Sequence, residues 1–331
     1  MIRSLSVFIF AAFAAFAPAR ARAADCIATT DLPVASETAA LEAAVGRTTG
    51  DRTGRVVIPV SVNGGGPYRF IVDTGANRSV LSQDLASTLG LTPIGVGEVH
   101  SVHDVTPAPL VEVNTLQYGP VELQSRPMPL LQGPVLAGQD GLLGVDGMAG
   151  RRLILDFRRR CIEISPAARA YRLGSNWTTV RGVLRFGHLV VLPGAIRDTE
   201  VNVLVDTGSD VTLANPALRN ALAARAASMT DALTAARAYS AGAPIVLDDV
   251  VGLPTLELGD LTISDLVAYV GDFHIFELWG LQNEPTLLIG MDALRRTRAI
   301  AIDYERGTVS FRLQRGPGII RMDTHGSRLQ R

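Results

Sequence analysis

Lysine is absent from this sequence: all 31 basic residues are arginines, and 32 acidic residues leave a formal net charge of only −1. Without a cluster of basic charge, nothing in the sequence indicates a nucleic-acid partner. Only two cysteines occur, Cys26 and Cys161. Their spacing does not fit a zinc site. In an oxidising compartment they form either one disulfide or two buried thiols, and the sequence leaves both outcomes open.

Apolar runs are short outside the N-terminus. At the N-terminus, residues 5–16 form an apolar run, with Arg3 before it and Ala21-Arg22-Ala23 after it. This pattern is typical of a cleaved signal peptide, and the run is too short to span a bilayer comfortably. We therefore expect an exported protein, periplasmic or secreted, without stable membrane insertion. A retained signal-anchor is the alternative.

A serine-hydrolase elbow, Gly-x-Ser-x-Gly, is also missing. In its place, an apolar strand ending at Val72 runs directly into Asp73-Thr74-Gly75, and a second ending at Val205 runs into Asp206-Thr207-Gly208. An aspartate at the end of an apolar strand carries a desolvation cost unless it is hydrogen-bonded or used in chemistry. The adjacent glycine lets backbone N–H groups approach the carboxylate. Asp73 and Asp206 are therefore the candidate catalytic residues.

The two Asp-Thr-Gly stretches belong to a longer repeat. Residues 115–123 match 255–263, residues 141–146 match 287–292, and residues 153–157 match 299–304. All the landmarks keep the same order, and only small loop insertions separate the two copies. The order indicates a tandem duplication within one chain.

These motifs resemble the aspartic proteases of the retropepsin and pepsin type. The resemblance rests on Asp-Thr-Gly-Ala and Asp-Thr-Gly-Ser, each followed downstream by Leu-Leu-Gly or Leu-Ile-Gly, and it covers residues 55–165 and 185–313. The Gly-Val-Asp and Gly-Met-Asp endings are most similar to the bacterial retropepsin-like branch. The resemblance implies a mainly β fold with two homologous retropepsin-like β-barrel lobes, which form a pepsin-like bilobal pseudo-dimer.

The same resemblance implies a site without metal or cofactor. Two facing carboxylates, Asp73 and Asp206, would share one proton because two such close charges cannot both ionise. The threonines would hydrogen-bond across the junction of the lobes, and the glycine N–H groups would bind the carboxylates. The residues expected to support the pair are Thr74, Gly75, Thr207, Gly208 and Ser209.

Ser209 breaks the symmetry of the pair, because the corresponding residue of the first copy is Ala76. A serine hydroxyl hydrogen-bonded to Asp206 would favour the ionised form of that carboxyl. We therefore expect Asp73 to hold the shared proton more often, although titration belongs to the pair.

The repeat predicts a domain layout. It comprises a signal peptide (1–23), an N-terminal segment (24–50), lobe 1 (51–168), a linker (169–179), lobe 2 (180–313) and a disordered tail (314–331). Residues 29–50 are expected to be helical or loosely ordered, and residues 24–50 are either a propeptide or a strand extension of lobe 1. A helical stretch is predicted over residues 216–238, and an N-cap at Asp292.

Two loops are candidates for contact with a ligand. Residues 94–113 predict a hairpin over the cleft, where a substrate contact is favoured over a metal site at His100, His103 and Asp104. Residues 271–285 form either a satellite apolar cluster or a specificity loop.

The sequence as a whole predicts an aspartic endopeptidase that acts on an extended peptide or protein substrate. Because one chain carries both Asp-Thr-Gly loops, a monomer is expected. The alternative is a non-catalytic peptide-binding protein of the cell envelope on the same fold.

Overall fold

The computed structural model describes residues 44–51, 54–118, 121–167, 176–223, 236–238, 245–313 and 319–320. The predicted signal peptide, Cys26, most of the linker and most of the tail lie outside these residues. Within the described part, no helix is long and apolar enough to cross a membrane.

The described residues of the first half form mostly strands, with one short α-helix and one turn of 3₁₀ helix at Pro134–Leu136. In chain order these elements are β1 (Ala44–Arg47), β2 (Thr49–Gly50), β3 (Val56–Val62), β4 (Gly65–Val72), β5 (Val80–Ser82), α1 (Gln83–Thr88), β6 (Pro93–His100), β7 (Val105–Tyr118), β8 (Val121–Leu131), β9 (Gly141–Leu143), β10 (Arg151–Asp156) and β11 (Cys161–Pro166).

The second half repeats this composition, with three short helices among its described residues. Its elements are β12 (Trp177–Arg181), β13 (Val183–Arg185), β14 (Leu189–Ile196), β15 (Thr199–Val205), β16 (Leu213–Ala214), α2 (Pro216–Ala223), β17 (Ala236–Ala238), β18 (Ile245–Leu247), β19 (Val250–Leu253), β20 (Leu256–Leu258), β21 (Leu261–Ile263), β22 (Leu266–Val270), α3 (His274–Leu278), β23 (Thr286–Ile289), α4 (Met291–Leu294), β24 (Ala299–Asp303), β25 (Thr308–Arg312) and β26 (Ile319–Ile320).

The duplication is visible in the strand pairing. In lobe 1, β4 pairs antiparallel with β3 and parallel with β9, β9 pairs antiparallel with β5, and β5 pairs parallel with β8. In lobe 2, β15, β14, β23, β16 and β22 repeat those pairings in the same order. Each Asp-Thr-Gly therefore follows the central strand of a matching β unit, and the protein is a mainly β, bilobal pseudo-dimer.

Local sequence explains the strands that lead to the site. Phe70, Ile71 and Val72 are all buried, as expected for the part of a strand that pairs in parallel and is covered on both faces. The turn between β3 and β4 has positive φ at Asn63 (49°) and Gly64 (78°), the backbone that an Asn-Gly hairpin turn favours. These features deliver Asp73 to the end of β4.

One six-stranded sheet joins the two lobes, in the order β1-β11-β10-β24-β25-β12. At its centre β10 of the first half pairs antiparallel with β24 of the second, and Arg152 Nη2 lies 2.8 Å from Asp303 Oδ2. Both lobes contribute to one continuous apolar core. The segments assigned from sequence to the ends of the separate lobes thus form a shared layer.

Two predictions of helix are corrected in the described segments. Residues 44–47 and 49–50 are strands, because β1 pairs with β11 and β2 with β3. Of the helix predicted over residues 216–238, α2 covers Pro216–Ala223, residues 224–235 lie outside the described residues, and residues 236–238 are a strand paired with β18. In both places strand pairing overrides the helical propensity of alanine.

One prediction about cysteine is partly answered. Cys161, on β11, is disulfide-bonded. The only other cysteine of the sequence is Cys26, which lies outside the described residues.

Candidate active site

The structure brings the two Asp-Thr-Gly loops face to face between the lobes. The backbone N–H of Gly75 donates to Asp73 Oδ1 at 2.9 Å, and that of Gly208 donates to Asp206 Oδ1 at 2.7 Å. A Cβ atom added at Gly75 would lie 2.6 Å from Cγ of Asp206, so the glycine of one loop packs against the carboxylate of the other. Only a residue without a side chain allows this approach.

Four hydrogen bonds cross the junction at the two threonines. Thr74 Oγ1 donates to the carbonyl of Val205 and Thr207 Oγ1 to that of Val72, both at 2.7 Å. The backbone N–H of Thr74 donates to Thr207 Oγ1 at 3.2 Å, and that of Thr207 to Thr74 Oγ1 at 3.1 Å. Since both side chains are buried, this reciprocal set holds the loops in one geometry.

Ser209 does not act as the sequence suggested. Its hydroxyl donates to the carbonyl of Val211 at 2.7 Å, which closes a local turn, and its contribution to Asp206 comes from the backbone N–H. A nearby backbone acceptor satisfies the hydroxyl, as is common for serine in turns. The predicted reason for a proton on Asp73 is therefore removed.

The electrostatics of the pair favour the opposite assignment. Burial raises the pKa of Asp206 well above its usual range, and the neighbouring charge of Asp73 raises it further. Burial also raises the pKa of Asp73, but the hydrogen bonds that it receives from Asp206 and Gly75 and the charge of Arg55 oppose this increase. Burial and the charge of Asp73 thus act in the same direction on Asp206, which favours Asp206 as the carrier of the shared proton.

A raised pKa predicts that the site destabilises the protein at neutral pH. At a pH above the usual pKa of an aspartate, the unfolded chain ionises Asp206 freely, whereas the folded protein must either keep this acid protonated or ionise it in a buried site. Asp206→Asn has no group to ionise at this position. We expect the melting temperature of Asp206→Asn to exceed that of wild type at pH 7. The difference should shrink towards pH 4, where Asp206 and the asparagine that replaces it are both neutral. Thermal unfolding at the two pH values checks this, and an equal difference at both would contradict it.

Asp146 and Asp292, the other repeated acids, support the loops from behind. Asp146 accepts from the hydroxyl and the backbone N–H of Ser79 at 2.8 and 3.1 Å, and Asp292 accepts from the same two groups of Thr212 at the same distances. The predicted N-cap at Asp292 is wrong, because α4 has Gly290 as its N-cap and Asp292 lies in its first turn. Its carboxylate is instead directed to Thr212.

A cleft of about 370 Å³ opens above the pair, and both aspartates line it. Its walls are largely apolar, with contributions from Val80, Leu142, Leu213, Leu288 and Trp279. The loop over residues 271–285 thus lines the cleft through Ile275, Leu278 and Trp279, while Phe273 and Phe276 are buried below it. These positions agree with both predicted roles of the loop, a satellite apolar cluster and a specificity loop.

The β6–β7 hairpin reaches from lobe 1 across the cleft to α3 of lobe 2. His100 Nδ1 and His274 Nε2 are 2.9 Å apart, with one ring donating and the other accepting, and the rings stack at a centroid distance of 5.3 Å. The N–H of Ile275 also donates to the carbonyl of Val102 at 3.1 Å. Within the described residues, no group of three or more His, Cys, Asp or Glu is placed to hold a metal.

This contact predicts a measurable effect on the hairpin. In His274→Ala the cross-cleft hydrogen bond and ring contact are lost, which is expected to cost about 0.5–1.5 kcal/mol. The amides at residues 99–105 should exchange faster with solvent, and KM for a peptide should rise about 2–10-fold with little change in kcat. Hydrogen exchange and steady-state kinetics test this; unchanged exchange in the hairpin would contradict a closing role for the contact.

Sequence reasoning missed Arg55. This residue is buried at the start of β3, lines the cleft, and donates through Nη1 to the carbonyl of Gly208 at 3.3 Å. Its partner lies 153 residues away in the chain, so no local pattern indicates the contact. A charged residue directly before an apolar strand is typical of a strand end that is exposed to solvent.

The family comparison agrees with the geometry. A model of the aspartyl protease family matches residues 58–146 and 192–293, one region in each lobe and together more than half of the chain. Each region contains one Asp-Thr-Gly loop. A comparison with curated proteins gave no match.

Proposed function

Because this chain belongs to the aspartyl protease family, we propose that it is an aspartic endopeptidase in which Asp73 and Asp206 activate a water molecule. The observation that carries the proposal is the pair itself. Two aspartates from repeated loops, Asp206 buried and Asp73 half-buried, meet at the cleft, each bonded to the N–H of its own glycine, and desolvation raises the pKa of both. Such a pair is suited to general acid–base chemistry.

The first step uses the unequal protonation of the two acids. Asp73, ionised, takes a proton from the water, whose oxygen attacks the carbonyl carbon of the scissile peptide bond. Asp206 at the same time gives its proton to the carbonyl oxygen. The product of this step is a neutral tetrahedral diol, and the charge of the pair has moved to Asp206.

The second step breaks the bond and restores the pair. Asp73 gives its newly acquired proton to the amide nitrogen, while a hydroxyl of the diol returns a proton to Asp206. The carbon–nitrogen bond then breaks to give a carboxylic acid and an amine. The rigid threonine and glycine contacts keep both carboxyls in place, so little reorganisation is needed during either step.

The cleft supports an extended peptide as substrate. The hairpin and α3 cover the opening, and apolar side chains line both lobes around the pair. An extended peptide places alternate side chains on opposite faces, so apolar residues can enter both walls while the backbone lies over the aspartates. Since both loops belong to one chain, a monomer is sufficient for activity. The sequence of residues 1–23 supports export to the periplasm or beyond.

Cleavage of an unfolded protein tests this proposal. Purified wild-type chain is incubated with a reduced and alkylated protein from pH 3 to 8, which brackets carboxyl titration, and new termini are identified by mass spectrometry. We expect internal cuts with apolar residues beside them. Asp84→Asn, an exposed position on α1, is the control for a change of charge elsewhere. Intact substrate at every pH would contradict the proposal and favour a peptide-binding protein.

A further inference from the structure

The charges around the aspartate pair are not symmetric, although the fold is. On the lobe 1 side, the side chain of Arg55 is 7% exposed, and its Nε lies 2.7 Å from Oδ2 of Asp51, whose side chain is fully buried. The backbone N–H of Arg55 also donates to Asp51 Oδ1 at 2.9 Å. A guanidinium held this firmly presents a fixed positive charge.

That charge is directed to the catalytic loop of the other lobe. Nη1 of Arg55 donates to the carbonyl of Gly208, the residue whose N–H binds Asp206. Gly208 in turn packs directly against the carboxylate of Asp73, since a Cβ atom added at Gly208 would overlap Cγ of Asp73. The guanidinium that is bonded to Gly208 lowers the pKa of Asp73 and of Asp210 against the effect of burial. Arg55 therefore touches one loop and acts electrostatically on the other.

The equivalent position of lobe 2 carries no matching contact in the described structure. The strand that corresponds to β3 is β14, and its register makes the apolar Leu189 the counterpart of Arg55. The turn before β14, with Gly187, faces the side chain of Asn77. A Cβ atom added at Gly187 would lie 3.6 Å from Asn77 Cγ. Asn77 is the counterpart of Asp210, since each comes four residues after its catalytic aspartate. An ionic arrangement on one side thus corresponds to a neutral amide on the other.

We propose that Arg55 is a positioning residue that assigns the two catalytic roles: its charge, anchored by Asp51, keeps the negative charge of the pair on Asp73 and the shared proton on Asp206. This inference rests on the proposed function for its catalytic meaning. In a symmetric pair the two carboxyls would exchange roles freely, whereas a fixed cation near one of them makes Asp73 the base and Asp206 the acid. The bond to Gly208 also steadies the N–H that binds Asp206.

The test separates charge from structure with two substitutions. Arg55→Gln keeps a hydrogen-bonding group and removes the charge. Arg55→Lys keeps the charge and removes the planar guanidinium with its several N–H donors. Arg69→Gln, on the exposed side of β4, is the control with the same change of net charge. The acidic limb of the pH profile of kcat/KM is compared in all four proteins.

We expect the acidic limb to move up by about one pH unit in Arg55→Gln, since an opposite charge lowers the pKa of a carboxyl by about 1–3 units. It should stay at the wild-type position in Arg55→Lys and in Arg69→Gln, and kcat near the optimum should fall about tenfold in Arg55→Gln. A purely structural role would lower activity in both Arg55 variants and leave the limb in place. That result, or a shifted limb in Arg55→Lys, would overturn the inference.

A second readout does not depend on activity. In protein labelled with ¹³C at the aspartate carboxyls, the titrations of Asp73 and Asp206 are followed by NMR. In wild type Asp73 should ionise first on raising the pH, and in Arg55→Gln the two titrations should move towards each other. If Arg55→Gln fails to fold because Asp51 loses its cation, the double variant Arg55→Gln/Asp51→Asn replaces it in this measurement. The double variant removes both charges of the ion pair. Unchanged titrations in a folded variant refute the role of Arg55, whatever the outcome of the cleavage assay.

Discussion

Asp73→Asn and Asp206→Asn are each expected to lower kcat for peptide cleavage by about 10³-fold or more. Either substitution leaves one group able to titrate, so the site can no longer both accept a proton from water and donate one to the carbonyl oxygen. The size of Asn matches that of Asp, and Gly75 or Gly208 can still donate to the side-chain oxygen. Substrate binding should therefore change much less than kcat.

The double variant and a mixture of the single variants make this prediction sharper. Because the two carboxyls act as one unit, the double variant should be about as inactive as either single variant. An equimolar mixture of Asp73→Asn and Asp206→Asn should also remain inactive, since each site takes both aspartates from one chain. Recovery of activity on mixing would show that sites form between chains, which would contradict the one-chain pair. Asp84→Asn should cleave like wild type.

Thr207→Val is expected to cause a large loss of stability for a conservative substitution. Valine has the shape of threonine but leaves the carbonyl of Val72 and the N–H of Thr74 without their bonds to Thr207 Oγ1. At this fully buried junction each unsatisfied group costs about 1–3 kcal/mol. The free energy of unfolding should thus fall by about 2–6 kcal/mol, measured by urea denaturation with an unchanged slope.

The same variant should also lose activity, because the loops that carry the two aspartates are held by this contact. A displacement of the order of 1 Å at a catalytic group lowers the rate about 10²-fold. Thr88→Val, on the exposed side of α1, is the matched control and should change stability by less than about 0.5 kcal/mol. A Thr207→Val protein as stable as this control would show that the threonine bonds do not hold the lobes together.

The repeat made the central part of the fold predictable from sequence. An apolar strand that runs into Asp-Thr-Gly is a local pattern, and its second copy indicated that Asp73 and Asp206 would meet. The structure brings these loops together in the middle of matching strand pairings. Local patterns of this kind are readable because strand, turn and functional residue are adjacent in the chain.

What escaped prediction depends on contacts between distant parts of the chain. The pairing of β10 with β24 joins strands from the two halves, and the strand at residues 44–47 forms only because β11 offers it an edge. The Ser209 hydroxyl is directed by its bond to the carbonyl of Val211. The Arg55 guanidinium is directed by its bonds to Asp51 and to the carbonyl of Gly208. Residue type alone does not indicate which of several available partners a polar side chain chooses.

Binding of a transition-state mimic tests the central claim most directly. A peptide that wild type cleaves is compared with one in which the scissile amide is replaced by a secondary alcohol, which resembles the tetrahedral diol. If Asp73 and Asp206 together stabilise that species, the alcohol peptide should bind wild type at least about 10²-fold more tightly than the amide binds the inactive Asp73→Asn variant, and the advantage should disappear when the alcohol is tested on that variant. Equal affinities for alcohol and amide would show a cleft that holds peptides without activating water, and would contradict the account.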